Sequence, residues 1–143
     1  MSAILVTGGE KPGKRKVGSS TELLHANGSF WCGLSPLPSP RMSFSQNGIT
    51  SCGGGDTNET RTSCFTFGSE GWEKSSRLLQ IRQYHVSWNR PDGKILLMGG
   101  HYSTSTEIVT VGGEVSESGY SLKHPIRYQV KFLKEQVIYT YYF

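Results

Sequence analysis

The stretch ILLMGG at residues 95–100 decides the fold, because two earlier stretches of the chain resemble it. These are ILVTGG at 4–9 and ITSCGG at 49–54, so the first residues of the three stretches are 45 and then 46 positions apart. Each stretch is an apolar run of strand length that ends in a glycine pair. The chain of 143 residues is therefore built from an internal repeat.

The repeat continues beyond the glycine pairs. A Ser/Thr-rich turn and a second strand follow each pair, namely SSTELL at 19–24, TRTSCFTF at 60–67 and STSTEIVTV at 103–111. Later landmarks are a tryptophan and then an arginine, with a spacing of ten residues in the first two units: Thr21, Trp31, Arg41 and Thr62, Trp72, Arg82. In the third unit this spacing falls on Ser116, and we expect the nearby Tyr120 to replace the tryptophan.

Composition predicts an all-β protein. The chain has 18 glycines, many serines and threonines, and strand-favouring residues along its whole length, but no amphipathic helical pattern. A formal charge of +4 is too small to indicate a nucleic-acid partner. No apolar run approaches the roughly 18 to 20 residues that span a membrane. We therefore expect neither a nucleic-acid nor a membrane partner.

Each repeat period holds about four short strands, which is the content of one blade of a β-propeller. The order of landmarks (apolar strand, glycine pair, second strand, spaced Trp, then an arginine that opens the next strand) resembles the kelch-repeat β-propeller family, in particular its degenerate invertebrate members. The resemblance covers essentially the whole chain. It predicts one domain, residues 1–143, with three kelch-like units at about 4–48, 49–94 and 95–143.

The resemblance also implies the strand order within a blade. The arginine-led strand lies innermost, and the glycine-pair, Thr-led and Trp strands follow outward. On this assignment residues 41–76 and 82–122 form two whole blades, 4–34 supply three strands, and 127–143 supply an inner strand and part of the next.

Ring closure needs more than this chain provides. Propellers close with about four to eight blades, whereas this sequence predicts about three. The faces of a terminal repeat also need a neighbour or a cap. We therefore predict a partial propeller whose ring is not closed by this chain alone. The chain would be a fragment, or another chain would supply the remaining blades.

The candidate binding residues lie around the arginines. The resemblance implies that Arg41, Arg82 and Arg127 open innermost strands near the mouth of the central channel, where bidentate hydrogen bonds could hold an acidic peptide. Tyr84 and His85 follow Arg82 and would line the same rim. In the alternative interpretation each arginine pairs with a carboxylate or with backbone carbonyls inside a blade. The sequence leaves both alternatives open.

Other candidate sites favour structural roles. The glycine pairs lack the helix or the GxxxxGK[ST] pattern of a phosphate loop, and we expect them to allow close packing. Trp31 and Trp72 are expected to pack between blades. The adjacent strands of Cys52 and Cys64 allow a disulfide, which would leave Cys32 unpaired. The basic run KPGKRK at 11–16 is expected to be a solvated loop rather than a polyanion site.

No catalytic or metal-binding motif occurs, so no catalytic residue, metal ligand or cofactor is predicted. The sequence predicts a non-catalytic module or scaffold that binds a protein or peptide at the propeller mouth. Two alternatives are part of a copper enzyme similar to galactose oxidase and a carbohydrate-binding propeller. The sequons at Asn27 and Asn58 arise readily by chance in such a chain and do not decide its compartment.

Overall fold

The computed structural model describes residues 3–11, 13, 16–25, 28, 30–56 and 60–125, together with the backbone of 130–133 and 136–139. Within these ranges the chain is all-β, as the composition predicts. No helix among the described residues is long and apolar enough to cross a membrane. Three positions discussed above lie outside the described residues, namely Asn27, Asn58 and Arg127.

Short strands follow one another along the described chain. In order they are β1 (Ala3–Thr7), β2 (Glu10–Lys11), β3 (Lys16–Val17), β4 (Thr21–His25), β5 (Trp31–Leu34), β6 (Ser45–Asn47), β7 (Thr50–Cys52), β8 (Ser63–Gly68), β9 (Gly71–Arg77), β10 (Val86–Asn89), β11 (Ile95–Met98), β12 (Ser105–Val109), β13 (Val115–Ser121), β14 (Val130–Leu133) and β15 (Gln136–Tyr139).

These strands form three antiparallel sheets. Sheet 1 has the order β1-β4-β5, sheet 2 the order β6-β7-β8-β9, and sheet 3 the order β10-β11-β12-β13. The pairs β2-β3 and β14-β15 are separate two-stranded sheets, and Lys11 and Lys16, the two ends of the basic run, pair with each other in the first of them. The two four-stranded sheets begin and end close to the boundaries predicted for two whole blades. Their strand order is also the predicted one.

One detail of the strand assignment is wrong. Arg41 and Arg82 do not open a strand, because β6 begins at Ser45 and β10 at Val86. Each arginine is separated from its strand by a residue with positive φ, which interrupts the extended conformation. The φ angles are +57° at Ser43 and +56° at Tyr84. Each arginine therefore lies in the linker between two sheets.

The registers relate the three sheets residue by residue. The residue immediately before each pair of glycines lies directly opposite a residue of the neighbouring strand. These opposed residues are Thr7 and Thr21, Cys52 and Cys64, and Met98 and Thr106. The equivalence of Thr21 and Thr62 that the spacing predicts is therefore wrong, since Cys64 occupies that place. The spacing misleads because the hairpin between β8 and β9 is shorter than its counterpart in sheet 1.

The tryptophan position is filled differently in the third sheet. Trp72 pairs with Phe67 across β8 and β9, and the corresponding pair in sheet 3 is Val109 with Val115. Val115 packs against the core, whereas Tyr120 is 72% exposed. The expected replacement of the tryptophan by Tyr120 is therefore wrong. A smaller apolar side chain fills the place.

The cores lie between the sheets. Phe65 and Trp72 of sheet 2 form one buried cluster with Leu37, and Leu5 of sheet 1 packs against it. The indole Nε1 of Trp72 donates a hydrogen bond to Thr21 Oγ1 of sheet 1 at 2.9 Å. This contact confirms the predicted packing of Trp72 between neighbouring sheets.

A second core lies between sheets 2 and 3. It contains Leu97 and Val109 of sheet 3 together with Cys52 and Cys64 of sheet 2. The two cysteines form a disulfide and Cys32 is free, which is the arrangement that the sequence allowed. Ser76 Oγ adds a hydrogen bond to the carbonyl of Thr110 at 3.1 Å. Each sheet thus buries one face against the next.

Two glycines show why the pairs occur at this point of each unit. Gly8 and Gly53 both have positive φ, at +64° and +66°. A Cβ atom on Gly8 would lie 2.7 Å from the carbonyl oxygen of Arg41, and one on Gly53 would lie 2.7 Å from that of Arg82. Neither contact is tolerable for a side chain. The first glycine of the pair therefore lets the linker of the next sheet approach.

Candidate binding edge at the arginine corners

The linkers and glycine-pair loops meet at one edge of the array. The backbone N–H of Gly9 donates to the carbonyl of Arg41 at 2.9 Å, and that of Gly54 donates to the carbonyl of Arg82 at 2.7 Å. The N–H of Tyr84 donates to the carbonyl of Ser43 at 2.9 Å, which joins successive linkers. We call this side of the molecule the loop edge. It contains the predicted binding residues Arg41, Arg82, Tyr84 and His85.

Arg41 is buried where its linker meets sheet 2, and we call this residue and the groups that it binds the Arg41 corner. Its Nη1 donates to the carbonyls of Gly53 and Ser63 at 3.0 and 3.1 Å, and its Nη2 donates to the hydroxyls of Ser39 and Ser63 at 2.9 and 3.0 Å. The guanidinium lies 4.8 Å from the ring centroid of Phe65. Burial, and to a smaller extent the charge of Arg61, lowers the pKa of Arg41 to about 10. The group is still charged at neutral pH.

Arg82 forms the equivalent corner of sheet 3. Its Nη1 donates to the carbonyls of Gly99 and Ser105 at 2.6 and 3.0 Å, and its Nη2 donates to the Ser105 hydroxyl at 2.7 Å. Its Nε donates to Glu107 Oε1 at 2.8 Å, and Nη2 lies 2.7 Å from the same oxygen. The other carboxylate oxygen accepts from the Leu79 N–H at 2.8 Å. The buried pair is thus hydrogen-bonded at both oxygens.

These contacts match the second alternative that the sequence left open. Arg41 is 0% exposed and Arg82 is 1% exposed, and both bind backbone carbonyls inside a blade-like unit. Their guanidinium groups present no surface to a ligand in this structure. The loops that the two arginines hold remain candidates for contact with a ligand.

His85 is also buried at the loop edge. Its Nε2 lies 2.8 Å from Ser45 Oγ, at the start of the neighbouring inner strand. Burial, and secondarily the charge of Arg82, lowers the pKa of His85 to about 3. The imidazole is therefore neutral at physiological pH. It joins two sheets and is 8% exposed.

Tyr84 belongs to an aromatic cluster on the loop edge. The rings of Tyr84 and His101 meet edge to face with centroids 6.3 Å apart, and His101 stacks on Tyr102 at 3.8 Å. The Tyr102 side chain is 83% exposed. We call Tyr84, His101 and Tyr102 the aromatic cluster. It offers an accessible ring surface next to the Arg82 corner.

Two members of the aromatic cluster have unusual backbone conformations. Tyr84 and Tyr102 have φ angles of +56° and +60°, a region that bulky residues rarely adopt. Each such residue costs on the order of 1–3 kcal/mol, and strain of this kind concentrates at functional sites. The backbone therefore holds these rings in fixed, strained positions.

A groove lies beside the same corner. Gln80, Ser105, Glu117 and Tyr120 contribute to its walls. The Ser105 hydroxyl, which accepts from Arg82, donates to Gln80 Oε1 at 3.0 Å. The groove is polar and also has the exposed Tyr120 ring at its rim. It provides hydrogen-bonding groups beside the residues that bind Arg82.

Sequence reasoning missed the contribution of His101 and Tyr102. The available signal was a pair of aromatic residues directly after a glycine pair, where the second unit has Gly55 and Asp56. Among the described residues, no group of three or more His, Cys, Asp or Glu side chains is arranged to hold a metal ion.

The two candidate tryptophans have different surroundings. Trp72 is buried at 9% exposure, and its indole N–H is bonded to Thr21, so its ring cannot stack on a ligand. Trp31 is 52% exposed. The fifth predicted binding residue, Arg127, lies outside the described residues. Comparison with protein-family models and with curated proteins finds no match to this chain.

Proposed function

We propose that this chain is a non-catalytic interaction module, a kelch-like partial propeller that binds a protein or peptide segment at its loop edge. One observation carries the proposal: equivalent positions on a shared backbone framework bear different side chains. Tyr84 corresponds to Ser43, and Tyr102 corresponds to Asp56. Loops that vary on a rigid scaffold are a common arrangement for recognition.

The framework itself supports this proposal. Two arginine corners bind the same pattern of glycine and serine carbonyls in successive units. Because the guanidinium groups of Arg41 and Arg82 are buried, neither of these two arginines can make the expected contact with an acidic peptide. The exposed groups that remain are aromatic rings and hydrogen-bonding side chains.

These exposed groups define the ligand class. The Tyr102 ring suits an apolar or aromatic side chain, and the Gln80 amide in the groove beside Arg82 can donate hydrogen bonds. An extended peptide offers both kinds of group along a short length. The proposed ligand is therefore a peptide segment that inserts an apolar side chain against the aromatic cluster.

The test is selection of a random peptide library displayed on phage against the full chain. Tyr84→Ser copies the residue at the equivalent position of the preceding unit, and Tyr102→Asn introduces a residue that tolerates positive φ. Each substitution should weaken binding of a selected peptide at least about tenfold, which corresponds to about 1.4 kcal/mol. Isothermal titration calorimetry measures the change.

The matched control is Phe30→Ala. Phe30 stacks on His25 with ring centroids 4.6 Å apart, but lies in the hairpin at the opposite edge of sheet 1. This variant should bind the selected peptide within about twofold of the unmodified chain. The proposal fails if no peptide is enriched, or if the control loses as much affinity as the tyrosine variants.

The same exposed ring also favours a second candidate, a carbohydrate ligand. Flat aromatic surfaces stack on the apolar face of sugars, and Tyr102 presents such a surface. Screening the chain on a glycan array distinguishes the candidates. Glycan binding lost in Tyr102→Asn, with no selected peptide, would favour the carbohydrate-binding alternative. Stoichiometric copper binding with a radical absorption band would instead support the copper enzyme.

A further inference from the structure

One face of sheet 1 differs from the equivalent faces of the other sheets. Ser51 and Trp72 in sheet 2 are buried against sheet 1, and Leu97 in sheet 3 is buried against sheet 2. Val6 and Trp31 occupy the same places in sheet 1 but are 47% and 52% exposed. We call Ile4, Val6, Leu24 and Trp31 the first-sheet face.

The residues of the first-sheet face lie on one side of the sheet. Ile4 pairs with Leu24, and Leu24 pairs in turn with Trp31, so these three side chains point the same way. Ile4 is 59% exposed. Contiguous exposed apolar side chains on a sheet mark an interaction surface. Within the array, the equivalent surfaces of sheets 2 and 3 each pack against the preceding sheet, although Ile49, the counterpart of Ile4, is 54% exposed.

The corner of the first-sheet face carries the acceptors of an arginine site. The Gly8 N–H donates to the Ser20 carbonyl at 2.9 Å, just as the Gly99 N–H donates to the Ser105 carbonyl at 3.0 Å. Glu22 pairs with Val6, as Glu107 pairs with Leu97. Gly8, Ser20 and Glu22 therefore correspond to the three residues that hold Arg82 in sheet 3.

Glu22 is exposed, whereas Glu107 is buried in an ion pair. Glu22 forms no ion pair with any residue in the described part of the chain. Its carboxylate adjoins an apolar face, at the position where sheet 3 receives a guanidinium. The first-sheet face thus combines an apolar surface with a carboxylate that matches an arginine.

We propose that the first-sheet face docks a second copy of this chain, which inserts an arginine beside Glu22, pairs the strand after that arginine with β1, as β10 pairs with β11, and covers Val6 and Trp31 with its third sheet. The contact would repeat the interface already present between sheets 2 and 3. The inference extends the repeat array of the proposed function and does not depend on the peptide ligand.

The chain itself carries a segment with the required chemistry. Arg127 is the third of the repeat arginines, and β14 follows it at Val130–Leu133. A second copy would therefore bring an arginine and a strand in the order found at the other corners. The contact joins different surfaces of the two copies, and such contacts form rings when the rotation closes.

The test is a charge exchange measured by size-exclusion chromatography with multi-angle light scattering on the full chain. The unmodified chain should have twice the monomer mass. Glu22→Arg and Arg127→Glu should each yield monomers, because each leaves two like charges at the contact. The double variant should dimerise again, since it restores the opposite charges. Glu114→Arg, in the exposed hairpin between β12 and β13, is the matched control and should remain a dimer.

A monomeric unmodified chain at about 100 μM, well above the micromolar range of weak association, would overturn the proposal. It would also fail if Glu22→Arg dimerises like the unmodified chain, or if the double variant stays monomeric. Peptide binding by the monomeric Glu22→Arg variant is measured separately. Its retention would show that the loop edge functions even where the second copy does not dock.

Discussion

Arg41 and Arg82 each join a linker to a sheet, but different neighbouring side chains balance their buried charges. Arg41 and Arg82 bind equivalent glycine and serine carbonyls at the starts of neighbouring sheets. The side chain beside the guanidinium is Phe65 at the first corner and Glu107 at the second. The first charge is therefore held by carbonyl dipoles, hydroxyls and an aromatic face, and the second by a carboxylate as well.

The difference shows which contacts are essential to the corner. The backbone acceptors are common to both corners, so they define the position of the linker. The neighbouring side chain decides how the buried charge is balanced. Among the described residues, Arg41 has no carboxylate partner and its Nε has no acceptor, whereas the Nε of Arg82 binds Glu107. Removal of the arginine should consequently have unequal effects at the two corners.

The largest expected effect follows from the substitution Arg82→Met. It leaves the buried Glu107 carboxylate without its cation, which typically costs about 3–5 kcal/mol of unfolding free energy. Arg41→Met leaves no buried carboxylate and should cost about 1–3 kcal/mol through lost hydrogen bonds. Urea denaturation followed by circular dichroism measures both. Equal losses would contradict the distinction between the corners.

A smaller effect is expected at the disulfide of sheet 2. In sheet 1 the equivalent place is filled by Thr7 and Thr21, whose hydroxyls are 2.7 Å apart. Replacing both Cys52 and Cys64 by threonine should cost about 2 kcal/mol, at the low end of the loss of a disulfide, because the hydroxyl pair replaces part of the contact.

The control for this exchange is the double substitution of Cys52 and Cys64 by alanine. It removes the disulfide without supplying a hydroxyl pair, so it should be less stable than the double threonine variant by roughly 1 kcal/mol. Thermal unfolding under nonreducing conditions compares the two. If both variants have the same stability, the two sheets do not share an interchangeable cross-strand position.

The last expected effect vanishes at neutral pH and grows as the solution becomes acidic. Because the pKa of His85 is lowered to about 3, the unfolded chain binds a proton more readily than the folded chain. The contribution of His85 to the free energy of unfolding is fully present above the ordinary histidine pKa near 6.5. It decreases as the pH falls toward 3, by at most about 1.4 kcal/mol per pH unit.

His85→Phe should make the free energy of unfolding less dependent on pH between pH 6.5 and pH 4, because phenylalanine does not titrate. Phenylalanine suits this position because Phe44 occupies the equivalent place in the preceding linker. Denaturation midpoints at several pH values measure it, and His25→Phe serves as a control for general loss of a histidine. An unchanged slope in His85→Phe would show that another group titrates in this range.

Much of the fold could be predicted from the sequence because glycine pairs and apolar strands recur at a fixed period. The boundaries of two four-stranded sheets follow from that pattern. The roles of side chains do not, since the spacing of Arg41 and Arg82 is the same whether a guanidinium points into a sheet or into solvent. Because the hairpin before Trp72 is shorter than its counterpart in sheet 1, equal sequence spacing pairs Thr21 with Thr62. The strand register instead makes Cys64 the counterpart of Thr21.

The candidate site was predicted only in part for the same reason. Tyr84 could be singled out from the sequence because it follows a landmark of the repeat, and in the structure it lies at the loop edge. Tyr102 lies in a turn whose conformation no periodic pattern determines, and its stacking on His101 depends on a positive φ angle. A repeat pattern cannot predict a feature that occurs in only one of the units.

The most direct test of the account is a double-mutant cycle at each arginine corner. Arg82→Met combined with Glu107→Phe should be more stable than the sum of the single losses predicts, with a coupling energy of about 2–3 kcal/mol. Arg41→Met combined with Phe65→Leu should give a coupling at least about 1 kcal/mol smaller. Unfolding free energies from urea denaturation supply both values. Additive losses at the Arg82 corner, or equal couplings at the two corners, would contradict the claim that these buried arginines hold the sheets together by different means.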